Sequence, residues 1–174
     1  MMWLWILSGF VIFFGFMAFT GAPYLPSKRK ELEYTFRELC PLDGNDVLVD
    51  IGSGDGIVLR EAIRQGARHA YGVEINPFIA WVSRLVSRRY GNRIKVRCAN
   101  LWTITFPAET TVVYTFATHR DIKKMYKKVA QEASRLGRTI RFVSYAFEVP
   151  GVPKKMTLGA HHLYEVKPFT DKKA

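Results

Sequence analysis

Residues 46–56 read DVLVDIGSGDG. The first six residues of this stretch form a nearly continuous apolar run, as expected of a buried strand in a parallel sheet. Its second part places Gly52, Gly54 and Gly56 at alternate positions. Glycines after a buried strand let a ligand touch the backbone, and a helix that follows offers unpaired N–H groups. The stretch therefore predicts a strand, a ligand-binding turn and a helix.

Strands and helices alternate on both sides of this turn, which predicts an α/β fold with a mainly parallel, twisted sheet flanked by helices. The predicted helices are SKRKELEYTFREL (27–39), GIVLREAIRQG (56–66), FIAWVSRLVSRRY (78–90) and RDIKKMYKKVAQEASRL (120–136). The further predicted strands are HAYGVEI (69–75), IKVRCA (94–99), TTVVYTFA (110–117), RTIRFVSYAF (138–147) and LYEVKPF (163–169). After the fifth strand the chain is short. We therefore expect a compact C-terminal end that has neither a last helix nor a full strand pair.

The N-terminal segment WLWILSGFVIFFGFMAF, residues 3–19, carries no charge. Its length suits a membrane span, which takes about 17–25 residues. Lys28, Arg29 and Lys30 follow it, and basic residues mark the cytosolic side. We therefore predict a single-pass transmembrane anchor, with the C-terminal part of the chain on the cytosolic side of the membrane. A cleaved signal peptide is the alternative, but no basic residue precedes the apolar run.

The predicted organisation is an anchor (1–22), a linker and N-terminal helix (23–45), the main domain (46–170) and a tail (171–174). The chain has 26 Lys and Arg against 15 Asp and Glu, a net charge of +11. Such a surplus suits anionic lipid, nucleic acid or an acidic partner, and the anchor favours lipid. Recognition of RNA usually requires aromatic side chains, on which bases stack, among the basic residues. Nucleic acid is therefore a less favoured partner. The chain contains no CxxC or HExxH pattern, so no metal site is predicted.

The residues around the glycines indicate the kind of ligand. A dinucleotide-binding GxGxxG loop would need glycine where Ile57 stands, and no GK[ST] follows for a P-loop. Asp50 and Asp55 would repel a pyrophosphate, but they suit a ligand with a sulfonium and an ammonium group, such as S-adenosylmethionine. Glu74 ends the second predicted strand at the spacing expected for a carboxylate that binds both ribose hydroxyls. The candidate cofactor-binding residues here are Asp50, Gly52, Ser53, Gly54, Asp55, Gly56, Glu74, Ile75 and Asn76.

VDIGSGDG, together with the segment Gly72–Pro77, resembles the first motifs of the class I, seven-strand S-adenosylmethionine-dependent methyltransferases. Pro23–Ser27, Ala99–Trp102 and the apolar N-terminus resemble a narrower family, the membrane-associated protein lysine methyltransferases. That family includes the enzymes acting on the ATP synthase c-subunit and the adenine nucleotide translocase. The resemblance implies a Rossmann-like fold, S-adenosylmethionine as cofactor and a lysine-bearing, membrane-associated protein substrate. It adds Asn100, Leu101 and Trp102 to the cofactor site, and the family usually has Asp at position 100.

Direct in-line transfer of a methyl group to a lysine amine needs alignment and desolvation more than catalytic side chains. Tyr24, Thr115 and Phe116 are the candidates that line the reaction channel; for Thr115 and Phe116 a packed strand end is an equal alternative. Asp50 or Asp55 is expected to draw in the cationic lysine, which the basic surface does not attract. Other functions stay open: a methyltransferase acting on RNA or a small lipophilic molecule, or an inactive cofactor-binding assembly module. His161 and His162 are expected to form a pair at a strand edge.

Overall fold

A seven-stranded sheet lies at the centre of the computed structural model, which describes Trp3, Trp5, Ser8 and residues 29–169. The strands in chain order are β1 (Val47–Ile51), β2 (His69–Glu74), β3 (Ile94–Cys98), β4 (Val112–Phe116), β5 (Ile140–Tyr145), β6 (Met156–Leu158) and β7 (His161–Val166). Their order across the sheet is β3-β2-β1-β4-β5-β7-β6. The first five strands are parallel, while β7 runs antiparallel to both β5 and β6. The predicted α/β fold with a mainly parallel sheet is confirmed.

Helices cover both faces of the sheet. They are α1 (Arg29–Tyr34, continued by a π-helical turn Thr35–Leu39), α2 (Ile57–Arg64), α3 (Pro77–Ser87, continued by a 3₁₀ turn Arg88–Arg93) and α4 (Ile122–Leu136). On one face, Leu32 and Phe36 of α1 and Leu59 of α2 pack on Leu48 and Tyr114 of the sheet. On the other face, α4 packs on β5 and β7 through an apolar cluster. Because both faces are covered, β1 is buried along its whole length.

The C-terminal end departs from the sequence expectation, because the strand pair is present. The three residues of β6 pair with β7, and the loop 146–155 connects β5 to β6 without a helix. The strand-edge placement expected for His161 and His162 is also wrong, since β7 lies between β5 and β6 and both histidines are buried. His161 lies with Nε2 3.0 Å from the Tyr114 hydroxyl, and burial lowers its pKa to about 4.

The predicted anchor and linker lie for the most part outside the described residues. Trp3 and Trp5, at the start of the predicted span, are both helical and exposed. Among Trp3, Trp5, Ser8 and residues 29–169, no helix is both long and apolar enough to cross a bilayer. Ser27, the first residue of the first predicted helix, and the candidate pocket residue Tyr24 fall outside the described ranges.

Candidate cofactor site

The glycine turn joins β1 to α2 at the carboxyl end of the parallel strands. Gly52, Gly54 and Gly56 adopt φ values of +76°, +51° and +78°, in the left-handed region that side chains with a Cβ rarely enter. The amides of Gly52 and Ser53 donate to the Val73 carbonyl at 2.9 and 3.1 Å, which ties the turn to the end of β2. Three glycines are therefore required by the backbone path, whether or not a ligand is bound.

Glu74 is held in place at the end of β2 by two backbone amides. Its Oε2 accepts from the Gly54 amide at 3.0 Å, and its Oε1 accepts from the Asn76 amide at 2.9 Å. A carboxylate has about four lone-pair sites, so each oxygen keeps capacity for another donor. The arrangement fits the predicted role, in which a fixed carboxylate accepts hydrogen bonds from two neighbouring hydroxyl groups of a ribose.

Asp50 and Asp55 differ in their surroundings, although they are close in sequence. Asp50 is only 2% exposed, and burial, with the nearby charges of Glu74 and Asp55, raises its pKa well above the usual aspartate range. Asp55 accepts from the Ile57 amide at 3.1 Å and forms an ion pair with Arg60 at 3.0 Å, so it is held at the start of α2. One carboxylate is buried and the other is paired. The expectation that Asp50 or Asp55 draws in a lysine therefore has no support from their placement.

The remaining predicted cofactor residues lie where β2 and β3 end. Ile75 is 55% exposed beside Glu74, where an apolar side chain suits the face of a purine ring. Asn76 caps α3, its Oδ1 accepting from the amides of Phe78 and Ile79. Asn100 Oδ1 accepts from the Trp102 amide at 3.0 Å, which shapes the turn after β3. Leu101 and Trp102 are half-buried in that turn, with Lys124 Nζ 4.0 Å from the centre of the Trp102 ring.

The space beneath the glycine turn is closely packed. A Cβ added at Gly72 of β2 would lie 2.6 Å from Ser53 Oγ and 2.7 Å from Leu59 Cδ1, and one at Gly56 would lie 2.4 Å from Ser83 Oγ. Both serine hydroxyls are buried and have no hydrogen-bond partner among the described residues. Gly72 was not predicted as a site residue, although a glycine inside a strand marks a close approach.

At the end of β4, Thr115 and Phe116 have different environments. Thr115 is fully buried, and its hydroxyl donates to the Ile51 carbonyl at 3.2 Å, so the packed strand end describes it better than an open channel does. The Phe116 ring is half-buried and lies 5.2 Å from the Tyr145 ring. The Tyr145 hydroxyl donates to Glu31 of α1 at 3.4 Å, and burial together with Glu31 raises the pKa of Tyr145. The sequence did not predict Tyr145 or Glu31 as site residues.

The strand order, the glycine turn after β1 and the acidic residue at the end of β2 define a class I S-adenosylmethionine-dependent methyltransferase. The fold is similar to that of an RNA methyltransferase from Salinibacter ruber, solved in complex with S-adenosyl-L-homocysteine. That comparison has a TM-score of 0.75 and 21% identity and covers 86% of this chain and 98% of the other. At this identity the likeness shows the fold alone.

The family follows from the sequence comparisons. Residues 50–156 match the ANTKMT methyltransferase domain, and the chain belongs to that family. The human lysine N-methyltransferase of the ATP synthase c-subunit is 33% identical over 120 residues, which are 68% of this chain and 50% of that protein. The mouse adenine nucleotide translocase lysine N-methyltransferase is 32% identical over 85 residues, 48% of this chain and 36% of that protein. The chain thus spans about half the length of the curated relatives that it matches first.

S-adenosylmethionine is the cofactor of this class, and the residues present fit it. The turn of positive-φ glycines brings bare backbone to the carboxyl edge of the sheet. Glu74 is fixed with hydrogen-bonding capacity for the ribose, and Ile75 is exposed beside it. The carboxylates of Glu74 and Asp55 raise the pKa of the buried Asp50, so a positive charge beside Asp50 would be favourable there, as in a cationic ligand.

Replacing Asp50 with asparagine is expected to stabilise the cofactor-free protein at neutral pH and to weaken cofactor binding. The raised pKa of Asp50 means that the native state binds this proton more tightly than the unfolded state does. Its contribution to stability is therefore lost as the pH rises above the usual aspartate value of 3.8 and through the native pKa. The neutral amide avoids this loss, but it removes the carboxyl group that could ionise beside a cationic ligand.

Thermal unfolding measured from pH 4 to pH 8 checks the expectation for Asp50→Asn. Its melting temperature should exceed that of the wild type at neutral pH, and the difference should shrink as the pH falls. Glu109→Gln is the matched control, because Glu109 is an exposed carboxylate. A variant that is less stable than the wild type at neutral pH, with an unchanged pH dependence, would contradict the electrostatic account of this site.

Proposed function

We propose that the protein is an S-adenosylmethionine-dependent protein lysine N-methyltransferase that acts on membrane or membrane-adjacent proteins. The observation that carries this proposal is the membership in the ANTKMT methyltransferase family, whose matched relatives are named for lysine methylation of the ATP synthase c-subunit and the adenine nucleotide translocase. The proposal includes a single-pass anchor in residues 1–22 and a catalytic domain on the cytosolic side. The uncharged run 3–19 and the basic residues after it support that part.

Methyl transfer to a lysine requires that the cofactor and the substrate amine are correctly positioned and that the amine is neutral. When bound, S-adenosylmethionine supplies a methyl group on a sulfonium, whose leaving group needs no further activation. Lysine has an ordinary pKa near 10.4, so the substrate amine must lose its proton before it attacks. The chain contributes a fixed cofactor platform in the glycine turn and Glu74.

Phe116, Tyr145 and Glu31 support a place for the substrate lysine. Phe116 and Tyr145 are directly paired in the register of β4 and β5, at the carboxyl edge that also carries the glycine turn. Their rings form an aromatic surface suited to an aliphatic chain with a cationic end. Glu31 lies beside Tyr145 and supplies a carboxylate that attracts the lysine ammonium before it is deprotonated.

A Tyr145→Ala variant is expected to raise KM for the protein substrate by about tenfold, the effect of losing one well-packed aromatic contact. The affinity for S-adenosylmethionine should change little, because Tyr145 is not among the residues of the glycine turn. Steady-state kinetics and calorimetry measure the two quantities separately. Tyr34→Ala is the matched control, since it removes an exposed tyrosine of α1. If Tyr145→Ala lowered the affinity for S-adenosylmethionine as much as it raised KM, Tyr145 would not be a residue of the substrate site.

The proposed anchor predicts that the full chain resists extraction from membranes at alkaline pH. Carbonate washing removes peripheral proteins but leaves transmembrane helices in the bilayer. We expect the full chain in the membrane pellet, because residues 3–19 carry no charge and match the thickness of a bilayer core. Recovery of the full chain in the supernatant would overturn the anchor without affecting the enzymatic part of the proposal.

Mass spectrometry of membrane proteins from cells with the wild-type enzyme and from cells with a Glu74→Ala variant tests the proposed substrate class. We expect methyl-lysine on one or a few membrane proteins in the wild type and its absence in the variant. Methyl marks that differ on RNA or on a lipophilic small molecule, with no lysine changed, would overturn the proposal. The protein would then be proposed as a methyltransferase acting on RNA or on a lipophilic small molecule.

A further inference from the structure

Helix α3 turns its large apolar side chains outward and its small ones inward. Trp81, Leu85 and Val86 are 55%, 45% and 45% exposed, whereas Ala80 and Ser83 are buried against the rest of the fold. The Trp81 ring also lies 6.0 Å from that of Phe78, one turn earlier. Residues 81 and 85 are four apart and share one side of the helix. We call the exposed side chains of Trp81, Leu85 and Val86 the α3 face.

This orientation is the reverse of the usual one for a helix on a globular domain. Such a helix normally packs its larger apolar residues on the core and leaves polar residues outside. Here the core side holds Ala80, Ser83 and Ser87, and Ser83 lies so close to Gly56 that no larger side chain fits between the helices. Several exposed large apolar side chains on one helix are typical of an interaction surface.

Arginines lie close to the α3 face in the sequence. Residues 77–93 contain four arginines, Arg84, Arg88, Arg89 and Arg93, and no aspartate or glutamate. Arg84, Arg88 and Arg89 are exposed, and no described residue forms an ion pair with them. Arg84 uses one donor on the Val96 carbonyl, and Arg89 lies 5.1 Å from the centre of the Tyr90 ring. The counter-charges for these three arginines must therefore come from outside the described residues.

We propose that the α3 face lies on the surface of an anionic lipid bilayer. Trp81, Leu85 and Val86 would enter the interface between headgroups and acyl chains, and the arginines would meet lipid phosphates. A helix with aromatic and aliphatic residues on one face and basic residues at its border has the composition of an interfacial helix. Long arginine side chains reach the phosphates while their stems stay in apolar surroundings.

Two other occupants fit the charges less well. The chain's own segment 3–19 is apolar but has no charge, so it offers the arginines no partner. A second copy of the protein packed through the same face would place two sets of arginines close together, because the contact would be symmetric. Anionic lipid satisfies both the apolar side chains and the arginines. This charge complementarity decides between the three.

Bilayer contact along α3 would also orient the cofactor site. Glu74 ends β2, Asn76 caps α3, and the glycine turn is bonded to Glu74, so the site lies at the first turn of the helix that touches the membrane. A substrate lysine near the membrane surface would then approach the carboxyl edge of the sheet. This last consequence rests on the proposed lysine methyltransferase function, whereas the contact itself does not.

The test places a fluorescent label on the α3 face of the full-length protein. Leu85→Cys is made in a Cys98→Ser background, because Cys98 is exposed. Cys40 is buried, and burial raises its pKa to about 11, so it stays a poorly reactive thiol at neutral pH. Glu109→Cys in the same background is the matched control at an exposed loop position. Both proteins are mixed with vesicles that contain a spin-labelled, fluorescence-quenching lipid.

We expect several-fold stronger quenching at position 85 than at position 109 in phosphatidylcholine vesicles containing phosphatidylglycerol. The difference should largely disappear in phosphatidylcholine alone, in high salt, or when Arg84, Arg88 and Arg89 are changed to glutamine, because screening removes the headgroup attraction. Equal quenching at the two positions in anionic vesicles would overturn the proposal.

Shielding of the position-85 label from an aqueous quencher before vesicles are added would also overturn it. Shielding that depends on protein concentration would indicate a second copy, and concentration-independent shielding would indicate the N-terminal segment. The measurement contains no methyl-transfer step. Failure of the proposed lysine methyltransferase function would therefore leave its result unchanged, and the two outcomes remain distinguishable.

Discussion

Glu74→Ala is expected to weaken the binding of S-adenosylmethionine by roughly 100-fold or more, because two hydrogen bonds from the ribose to a charged acceptor are lost at about 1.5–3 kcal/mol each. The same change leaves the amides of Gly54 and Asn76 without the acceptor that fixes the turn and the start of α3. Isothermal titration calorimetry on the purified protein measures the loss directly. The melting temperature of the cofactor-free variant separates weak binding from unfolding.

Two further variants sharpen the result for Glu74. Glu74→Gln keeps the shape but replaces one oxygen by an NH₂ group, which cannot accept from a backbone amide, so we expect an intermediate affinity. Glu109→Ala removes an exposed carboxylate far from the turn in sequence and should bind like the wild type. Unchanged affinity in Glu74→Ala would remove Glu74 from the cofactor site and with it the main electrostatic argument for the ligand.

Gly72→Ala is the second change with a large expected effect, even though it adds a single methyl group. That group would stand 2.6 Å from Ser53 Oγ and 2.9 Å from Ser53 Cβ, inside the closest distance that real Cβ atoms adopt. Overpacking of this kind costs about 1–3 kcal/mol of folding stability. Because Ser53 belongs to the glycine turn, its displacement should also lower the affinity for the cofactor.

Chemical denaturation and calorimetry check the two effects of Gly72→Ala on one sample. Gly44→Ala is the matched control, since a Cβ there meets nothing within 4 Å and the backbone is not in the left-handed region. We expect a stability close to wild type for Gly44→Ala and a clear loss for Gly72→Ala. Equal stability of the two variants would show that Ser53 and Leu59 relax around the added methyl group.

The elements next to the glycine turn could be predicted from the sequence because their signals are local. The apolar run before Gly52 predicts β1, and the Asn76–Pro77 pair predicts the start of α3, where Asn76 does cap the helix. The spacing from Gly54 to Glu74 predicts that the two lie together. The structure places the Gly54 amide 3.0 Å from Glu74 Oε2.

Other parts of the site depend on contacts between distant segments, and no local pattern reports them. Glu31 and Tyr145 are 114 residues apart in sequence, and only the packing of α1 over the sheet brings them together. The close approach of Gly72 to Ser53 depends in the same way on how the turn folds over β2. The strand β6 has three residues and gains its stability from pairing with β7, so its own sequence carries little signal.

The decisive measurement of the proposed lysine methyltransferase function is the transfer of a labelled methyl group from S-adenosylmethionine to isolated membranes by the purified full-length protein. After transfer, the membranes are hydrolysed and the labelled product is identified. We predict label in methylated lysine, with transfer lost in Glu74→Ala and retained in the Glu109→Ala control. Label that appears only in RNA or lipid would overturn the proposed lysine substrate, and transfer that persists in Glu74→Ala would overturn the proposed cofactor site.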